Sequence, residues 1–433
     1  MYNTATKFQN SLLYRSIRWS VALNVLIIAM LAVIFDIMIV PNVLPNYVPI
    51  LLFSIWFLSA YFIGGSHHIK VTVNESIWWI VIILWEIMLE LFGFSSIGIN
   101  NILIRIPIYC LPIIMSFVIR NYYYREKILL FTFLFLVILF NIVKNDITGY
   151  YNPWMFESLR SSDGFSASSS TFTAVTLFFF PVCFLLLKNN KPKYLKFVSV
   201  FSICAASYYF FVLNSRGISF FLFLLIILGF IFSPKRSYNN INPLYLLLAV
   251  LSLSILFYLF FDPFMNILRV VFAGNERLLE KFNNITDFSQ TRNMQDTGSL
   301  GARIELSLIS LQTWLGGFSN FFFGIGEHAI NDASMQGLTN AGVGQHSQFF
   351  DHLARYGLLG GLILYKAVKN TLRFVLKRAH NTKMYNRIFV VLLAFILYSF
   401  LNNSLIGNIL FVVFLVFPLI VDILESKNYM SYE

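Results

Sequence analysis

The sequence predicts an all-α, polytopic membrane protein. Of its 433 residues, 58% are hydrophobic and only 12% are charged, and its mean hydropathy is +0.72. A soluble domain of this size does not have enough polar surface to cover so many apolar side chains. The apolar residues form continuous segments of about 17 to 22, long enough to cross a hydrocarbon core of about 30 Å as helices, without the alternation of a membrane β-barrel.

About twelve transmembrane helices are predicted. They lie near residues 19–40, 47–64, 76–95, 102–119, 127–145, 169–187, 196–214, 217–233, 243–261, 347–365, 386–403 and 405–423.

Basic residues are distributed unevenly between the two sides of these spans. If the N-terminus is cytoplasmic, most of the 31 Lys and Arg residues fall in inside segments, although the longest loop lies outside. This asymmetry fits the positive-inside rule. We therefore expect both termini in the cytoplasm, and the net charge of +11 follows from this topology without a nucleic-acid partner.

The longest polar segment, residues 262–345, separates the ninth span from the tenth. It divides the chain into helices 1–9 (residues 1–261), a large extracytoplasmic loop with amphipathic helices (262–345) and helices 10–12 (346–433). A membrane protein with otherwise short loops has its working surface most naturally in the one long loop. Function is therefore sought there.

Standard catalytic and metal motifs do not explain this chain. It contains no P-loop, dinucleotide fingerprint, zinc-protease helix or nucleophile elbow. Glu327 and His328 lie beside His346 and Asp351 only at spacings that match no standard metal site. No cofactor is expected.

Arg216 lies in the sequence LNSRGISFF, in the short turn between the seventh and eighth spans. An isolated interfacial arginine is most often explained by snorkelling. Here, however, the positive-inside count predicts a neutral outer turn, and the adjacent Gly217 permits close approach of a ligand to the backbone. A cation at this position suggests an anionic ligand.

Arg303 lies in GSLGARIELSLISLQTWLGG, where apolar residues recur at helical spacing from Leu300 to Leu315. The pattern predicts an amphipathic helix on the membrane or on the bundle, beginning at Ser299 and ending before Gly316. Near the first turn of that helix, Arg303 favours a negative ligand. A surface salt bridge, for instance with Glu305, is the simpler alternative.

His346 lies where the long loop meets the tenth span, in NAGVGQHSQFFDHLARYGLLGG. The first three turns of this span also carry Asp351, His352 and Arg355, at a depth where charges need partners or a polar cavity. Asp351 and Arg355 are four residues apart and are predicted to pair on one face. This region is predicted to be a wet pocket that opens outward.

The order of these features resembles a known superfamily. A short SRG turn, a large outward loop with G-x-R before a Trp-containing helix, an FGIG segment, and a His followed ten residues later by YGLLGG resemble the bacterial O-antigen ligases and the Wzy-like O-antigen or capsule polymerases. The likeness covers roughly residues 205–365. Ser347 departs from the pattern, because the family often has Asn directly after the histidine.

The resemblance implies an architecture similar to GT-C glycosyltransferases and a transfer of glycan from undecaprenyl diphosphate on the outer face of the bacterial cytoplasmic membrane. It also implies that Arg216 and Arg303 hold the diphosphate and that His346 assists the acceptor hydroxyl. Arg277, Asp351, Arg355 and Glu327 are further candidates for substrate binding, and Asp351 or Glu327 is a candidate to orient His346. The expected enzyme is a metal-independent, inverting polysaccharide polymerase.

The partners implied are a lipid-linked donor and acceptor, membrane lipid, and a chain-length regulator and flippase as candidate proteins. Two other functions stay open. A ligase that transfers polysaccharide to lipid A-core uses the same carrier and differs only in its acceptor. A lipid-linked oligosaccharide flippase, favoured by the intramembrane acids Glu86 and Glu90, would be expected to show two similar halves, which the sequence lacks.

Overall fold

The computed structural model describes residues 20–30, 47–103, 105–151, 166–188, 193–208, 217–232, 260–271, 273, 279, 283, 299–327, 343, 347–379, 384–402 and 407–430. These residues form helices, and the described part of the chain contains no strand. The all-α prediction is confirmed for these residues.

The helices are numbered here in chain order. They are α1 (Ser20–Met30), α2 (Tyr47–Leu91), α3 (Ile99–Leu103), α4 (Arg105–Ile119), α5 (Tyr124–Tyr151), α6 (Ser166–Leu187), α7 (Lys193–Tyr208), α8 (Gly217–Phe232), α9 (Phe261–Val271), α10 (Ser299–Leu315), α11 (Phe318–Phe323), α12 (Gln348–Ala379), α13 (Tyr385–Leu401), α14 (Gly407–Phe411), a π-helical turn (Val412–Val416) and α15 (Phe417–Met430).

The prediction of two separate spans at 47–64 and 76–95 is wrong. Residues 47–91 form one helix of 45 residues, about 68 Å long and more than twice the thickness of a hydrocarbon core. The polar stretch near Lys70 was expected to be a loop, but polarity alone does not stop a helix. No proline occurs between Pro49 and Pro107 to break it.

Two other helices extend beyond the spans predicted for them. Helix α12 continues to Ala379, although residues 366–379 were expected to belong to an inside loop. Helix α5 continues to Tyr151 and so includes the start of an expected outer loop. Hydrophobicity locates the apolar part of a helix, whereas backbone hydrogen bonds carry the helix into polar sequence until a breaker or cap ends it.

Among the described residues, one helical stretch has the length and apolarity needed to cross a membrane. It is Ile99–Ile119, which comprises α3 and α4. Shorter apolar helices occur at Ser20–Met30, Leu51–Ala60, Thr176–Leu187, Phe221–Ile231, Leu306–Leu315 and Tyr385–Phe400. Most of the predicted ninth span, 243–261, lies outside the described residues. The count of twelve spans, the three-part division and the orientation therefore stay predictions.

Helix α12 is the element against which the candidate site is assembled. It packs against α2, α10, α11, α13 and α15, while α2 also packs against α4. The centre of the protein is the C-terminal apolar segment, in which Val412–Val416 and most flanking side chains are buried. Large apolar side chains on the outer helix faces, such as Leu84, Leu129 and Phe197, are exposed, as expected for surfaces that face lipid.

The predicted outer loop contains the helices α9, α10 and α11. A helix lies where it was predicted, because α10 runs from Ser299 to Leu315 and ends directly before Gly316. Leu308 and Leu315 on this helix are exposed, whereas Ser310 on the opposite face is buried. The helix therefore presents these two leucines outward and a polar residue to the bundle.

A buried ion pair joins α12 to α15 at the far end of α12 from the long loop. Arg378 donates from Nη1 to Ser116 Oγ at 2.8 Å and from Nη2 to the Ser116 carbonyl oxygen at 2.9 Å. Its Nη1 lies 3.5 Å from Asp422 Oδ2, and its guanidinium lies over the ring of Phe374. Arg378 was expected in a cytoplasmic loop, but its side chain is only 3% exposed.

Replacing Arg378 with Gln is expected to destabilise the folded protein by about 3 kcal/mol, because Asp422 loses its countercharge in a buried position. The neighbouring exposed Lys377 provides a matched control, and Lys377→Gln should change stability by about 0.5 kcal/mol or less. Denaturant unfolding in detergent micelles measures both. Equal effects of the two substitutions would contradict this assignment of Arg378.

Candidate active site

Helix α12 is interrupted at Gly357, which has φ 66° and ψ −173°. In an uninterrupted helix, the carbonyls of Ala354 and Arg355 would accept hydrogen bonds from residues four positions later. Here they accept instead from the loop after α11: Ile325 N donates to Ala354 O at 3.0 Å, and Gly326 N donates to Arg355 O at 2.8 Å. The interruption thus provides acceptors for a separate piece of chain.

Residues 324–327, called here the docked segment, fit this interruption because two of them are glycines. Gly324 and Gly326 have φ of +78° and +79°, a conformation that favours glycine. A Cβ at Gly324 would overlap the backbone of Arg355, and one at Gly326 would overlap the backbone of Phe94. The backbone of the FGIG sequence therefore packs directly against the backbone of two other parts of the chain, at Arg355 and at Phe94.

The loop after α2 holds the other side of the docked segment. Ser96 N donates to the carbonyl oxygen of Glu327 at 2.9 Å, and Ser95 Oγ donates to the same oxygen at 2.6 Å. Trp85 in α2 donates from Nε1 to the carbonyl oxygen of Tyr356 at 3.2 Å, another acceptor near the interruption. The N-terminal half of the protein thus takes part in building this region.

The Glu327 carboxylate lies at the centre of a charged cluster, called here the Glu327 network, whose other members are Glu86, Arg105, Arg355 and Tyr356. Arg105 Nη2 donates to Glu327 Oε1 at 2.8 Å, and the Tyr356 hydroxyl donates to Oε2 at 2.5 Å. Arg355 Nη1 lies 3.5 Å from Oε2. Both oxygens of Glu327 therefore have partners.

Arg105 connects this carboxylate to a second one. Its Nη1 donates to Glu86 Oε2 at 3.0 Å and to the Tyr356 hydroxyl oxygen at 2.9 Å. The side chain of Glu86 is 2% exposed, whereas those of Arg105, Arg355 and Glu327 are between 15% and 20% exposed. Two arginines balance two glutamates, as charges removed from water require.

Glu327, which lies outside the predicted spans, is held in its charged form. Burial by itself raises the pKa of this carboxyl group, but the charges of Arg355 and Arg105, with hydrogen bonds from Tyr356 and Arg105, lower the pKa from 4.5 to about 2. At neutral pH Glu327 is therefore a fixed negative charge and not a proton donor.

A second polar cluster caps the N-terminus of α12. Ser347 is the capping residue, because its Oγ accepts from Phe350 N at 3.3 Å. Asp351 Oδ2 accepts from Ser347 N at 3.4 Å, and Asp351 Oδ1 accepts from Ser310 Oγ in α10 at 2.6 Å. The departure from the family pattern thus has a physical explanation, since Ser and Asn are both favoured capping residues.

Asp351 and Arg355 approach each other differently from the predicted side-chain pair. Arg355 Nε donates to the backbone carbonyl oxygen of Asp351 at 3.2 Å, while its Nη1 forms the ion pair with Glu327. Asp351 is 1% exposed and uses its carboxylate to tie α12 to α10. His352, also buried, lies with Nε2 at 3.3 Å from the Gly360 carbonyl oxygen, one turn beyond the interruption.

The structure brings Glu327, Asp351 and Arg355 together at the start of α12. Residue 303 lies in α10, as predicted, but its side chain is outside the described residues. Arg216, Arg277 and His346 also lie outside them, so the roles expected of these four residues stay predictions. Within the described part of the chain, no group of three or more His, Cys, Asp or Glu side chains is arranged to hold a metal ion.

Sequence reasoning missed Arg105 and Tyr356. Arg105 carried a usable signal, because a charged residue inside an apolar segment requires a partner or a function. Glu86 was recognised as unusual, but its nearest charged partner could not be deduced from sequence separation. Tyr356 is the first residue of the YGLLGG segment, but nothing in the sequence indicated that its hydroxyl binds Glu327.

Part of the chain matches a known protein family. Residues 200–365 match the family model Wzy_C, described as O-Antigen ligase. We call residues 200–365 the Wzy_C domain, after the family model that they match. Members of this O-antigen ligase and polymerase family are glycan-transferring membrane enzymes of polysaccharide biosynthesis. No curated protein matches the chain.

The Wzy_C domain contains the docked segment, the α12 cap and every site residue predicted from the sequence. The anticipated resemblance is therefore confirmed. Glu86 and Arg105 lie outside the matched residues, so the Glu327 network crosses the boundary of the domain.

Gly326→Ala is expected to destabilise the protein by about 1 to 3 kcal/mol more than Gly93→Ala. Both glycines have positive φ, but a Cβ at Gly93 meets nothing within 4 Å, whereas one at Gly326 overlaps the Phe94 backbone. The shared backbone strain cancels in this comparison, and thermal unfolding in detergent measures the difference. Equal unfolding midpoints would show that the docked segment is not packed as described.

Glu327→Gln is expected to reduce stability at neutral pH and less so in acid. Because the folded-state pKa of Glu327, about 2, lies below its ordinary value of 4.5, ionisation stabilises the folded protein above pH 4.5. This stabilisation is lost as the pH falls towards 2. The difference in unfolding free energy between wild type and variant should therefore narrow by about 3 kcal/mol across this range. Denaturant titrations at several pH values measure it, and a pH-independent difference would refute the charged network.

Proposed function

We propose that this protein is a polysaccharide polymerase of the bacterial cytoplasmic membrane. It transfers a growing glycan from undecaprenyl diphosphate to an undecaprenyl-diphosphate-linked repeat unit for O-antigen, capsule or exopolysaccharide. The active site faces outward, both termini lie in the cytoplasm, and a flippase and a chain-length regulator act with it.

The observation that carries this proposal is the cap of α12. The Ser347 N–H that binds Asp351 belongs to the peptide bond joining residues 346 and 347. Asp351 also binds Ser310 in α10, and positions 303 and 310, seven residues apart, share one face of that helix. One buried carboxylate thus ties the backbone beside His346 to the helix face that carries position 303, about 10 Å from Ser310 along the axis.

This arrangement suits a reaction in which a diphosphate leaves and a hydroxyl attacks. Guanidinium groups bind phosphate oxygens with two parallel hydrogen bonds and remain charged. Arg303 and Arg216, assisted by Arg277, would stabilise the charge that develops on the diphosphate as its bond to the anomeric carbon breaks. Arginines in this role make a divalent metal unnecessary.

His346 would accept the proton of the acceptor hydroxyl while that oxygen bonds to the anomeric carbon. Direct displacement inverts the anomeric configuration. Asp351 is the better candidate to position His346, because it binds the backbone N–H of Ser347, the residue directly after His346, whereas Glu327 is paired with the Arg105 and Arg355 guanidinium groups.

The ligase is the second candidate, since the matched family model is described as O-Antigen ligase. The residues named above would act alike in both enzymes, and the acceptor alone separates them. The flippase has less support, because the acids that suggested it have local partners. Glu86 pairs with Arg105, and Glu90 Oε1 accepts from Gly98 N at 2.9 Å.

The test uses purified full-length protein in detergent with undecaprenyl-diphosphate repeat units, and a gel ladder as the readout. Wild type should extend the ladder without added metal and in the presence of EDTA. Arg216→Ala and Arg303→Ala should each slow extension by about 10² to 10³, and His346→Ala by about 10² to 10⁴. The product linkage, determined by NMR, should be inverted relative to the donor.

Arg269→Ala is the matched control, because Arg269 is another arginine of the long loop and its Nη1 donates to the Asn266 side chain in α9. It should extend the ladder at the wild-type rate. Transfer of glycan to lipid A-core without ladder extension would show that the protein is a ligase and not a polymerase. A trapped glycosyl-enzyme would contradict the inverting mechanism. Glycolipid flipping without glycan transfer would show that the protein is a transporter and not a glycosyltransferase.

A further inference from the structure

The Glu327 network joins the N-terminal half of the protein to the Wzy_C domain. Arg105 is the first residue of α4 and Glu86 lies in α2, whereas Glu327 and Arg355 belong to the domain at residues 200–365. Arg105 binds carboxylates on both sides, at 3.0 Å to Glu86 and 2.8 Å to Glu327. Arg105 is therefore a charged contact between the two parts, beside the hydrogen bonds that Ser95, Ser96 and Trp85 donate to the domain.

Arg105 is poorly suited to bind substrate directly. Its Nη1 donates to both Glu86 and Tyr356, and its Nη2 donates to Glu327. A diphosphate ligand would have to displace a carboxylate held by several partners, and the charges of the network already balance. The role that fits these contacts is positional.

The network acts on a segment that the backbone also holds. Ile325 and Gly326 donate to carbonyls of α12, and the Glu327 carbonyl oxygen accepts from Ser95 and Ser96. Because Glu327 is held through its carboxylate and its carbonyl, both its side chain and its main chain are fixed at one place. The following residue begins the stretch 328–346, which ends at His346.

The far end of that stretch is held independently. Ser347 caps α12, and Asp351 binds the Ser347 N–H together with Ser310. Residues 328–346 thus lie between two fixed ends, and only the second end is contained wholly within the Wzy_C domain. The first end is held in part from outside the domain, by Arg105 at the Glu327 carboxylate and by Ser95 and Ser96 at its carbonyl oxygen.

We infer that Arg105 and Glu327 are positioning residues for the glycan transfer: their ion pair fixes the docked segment and thereby the point from which the chain continues to His346. This inference rests on the proposed function. It assigns the N-terminal half a part in the active site, although Arg105 itself touches neither substrate nor reacting atoms.

The experiment compares wild type, Glu327→Gln and Arg105→Gln as full-length proteins in detergent, well below their unfolding midpoints. The hydrogen-exchange rates of the Ile325 and Gly326 amides measure how firmly the docked segment is held. Ladder extension at varied donor concentration gives kcat and the donor KM. Glu327→Gln preserves side-chain shape, so it stands in if Arg105→Gln does not fold. The expected result is exchange about tenfold faster, kcat lower by about 10 to 100-fold, and donor KM within about twofold of wild type.

Arg378→Gln is the matched control, because it also removes a buried arginine that pairs with a carboxylate, but at the other end of α12. It should lower the unfolding midpoint while leaving both the exchange of Ile325 and Gly326 and the kcat near wild type. If kcat fell equally in Arg378→Gln and Glu327→Gln, the loss of activity would be explained by the loss of stability alone, and the inference would be overturned.

Unchanged exchange in Glu327→Gln would overturn the docking, and faster exchange with unchanged kcat would overturn the positioning role. Failure of the proposed function looks different. A wild-type protein that transfers no glycan to any acceptor refutes that function and the catalytic half of the inference, whereas the exchange measurement decides the docking by itself.

Discussion

The candidate site depends on one exchange of backbone hydrogen bonds. Gly357 interrupts α12, and the carbonyls of Ala354 and Arg355 accept from Ile325 and Gly326. Buried carbonyl groups must find donors, and within a membrane protein no water is available to supply them cheaply. The interruption and the docked segment therefore require each other, and the FGIG and YG sequences are two halves of one structural feature.

Charge balance is the second constraint on this protein. At the candidate site, Arg105 and Arg355 face Glu86 and Glu327. At the other end of α12, Arg378 faces Asp422. Each cluster joins helices that are distant in sequence, because a charge taken out of water is tolerated only beside its counterpart. Each cluster thus favours the packing in which its helices meet, because separating the partners would leave a buried charge without a countercharge.

The same constraints explain how a long loop can hold reactive groups in place. Loops carry function when rigid elements position them. Here the stretch before His346 follows Glu327, and the residue after His346 caps α12 and binds Asp351. The Wzy_C domain therefore contains the expected chemistry, while part of its support comes from α2 and α4. The family match by itself does not reveal that support, because it begins at residue 200, after α2 and α4.

Composition and periodicity determined the helical class and predicted the helix that carries position 303, and the order of short motifs gave the family resemblance. Each of these depends on local sequence, which sets how apolar residues repeat along a helix. The break predicted near Lys70 was wrong, because polarity does not show whether backbone hydrogen bonding continues. Only the tertiary structure decided that Glu327 binds Arg105 and Tyr356, that Arg355 pairs with Glu327, and that Asp351 joins α12 to α10. These contacts link residues up to 222 positions apart, and partner choice at that distance follows from helix packing and charge neutralisation, which no local pattern records.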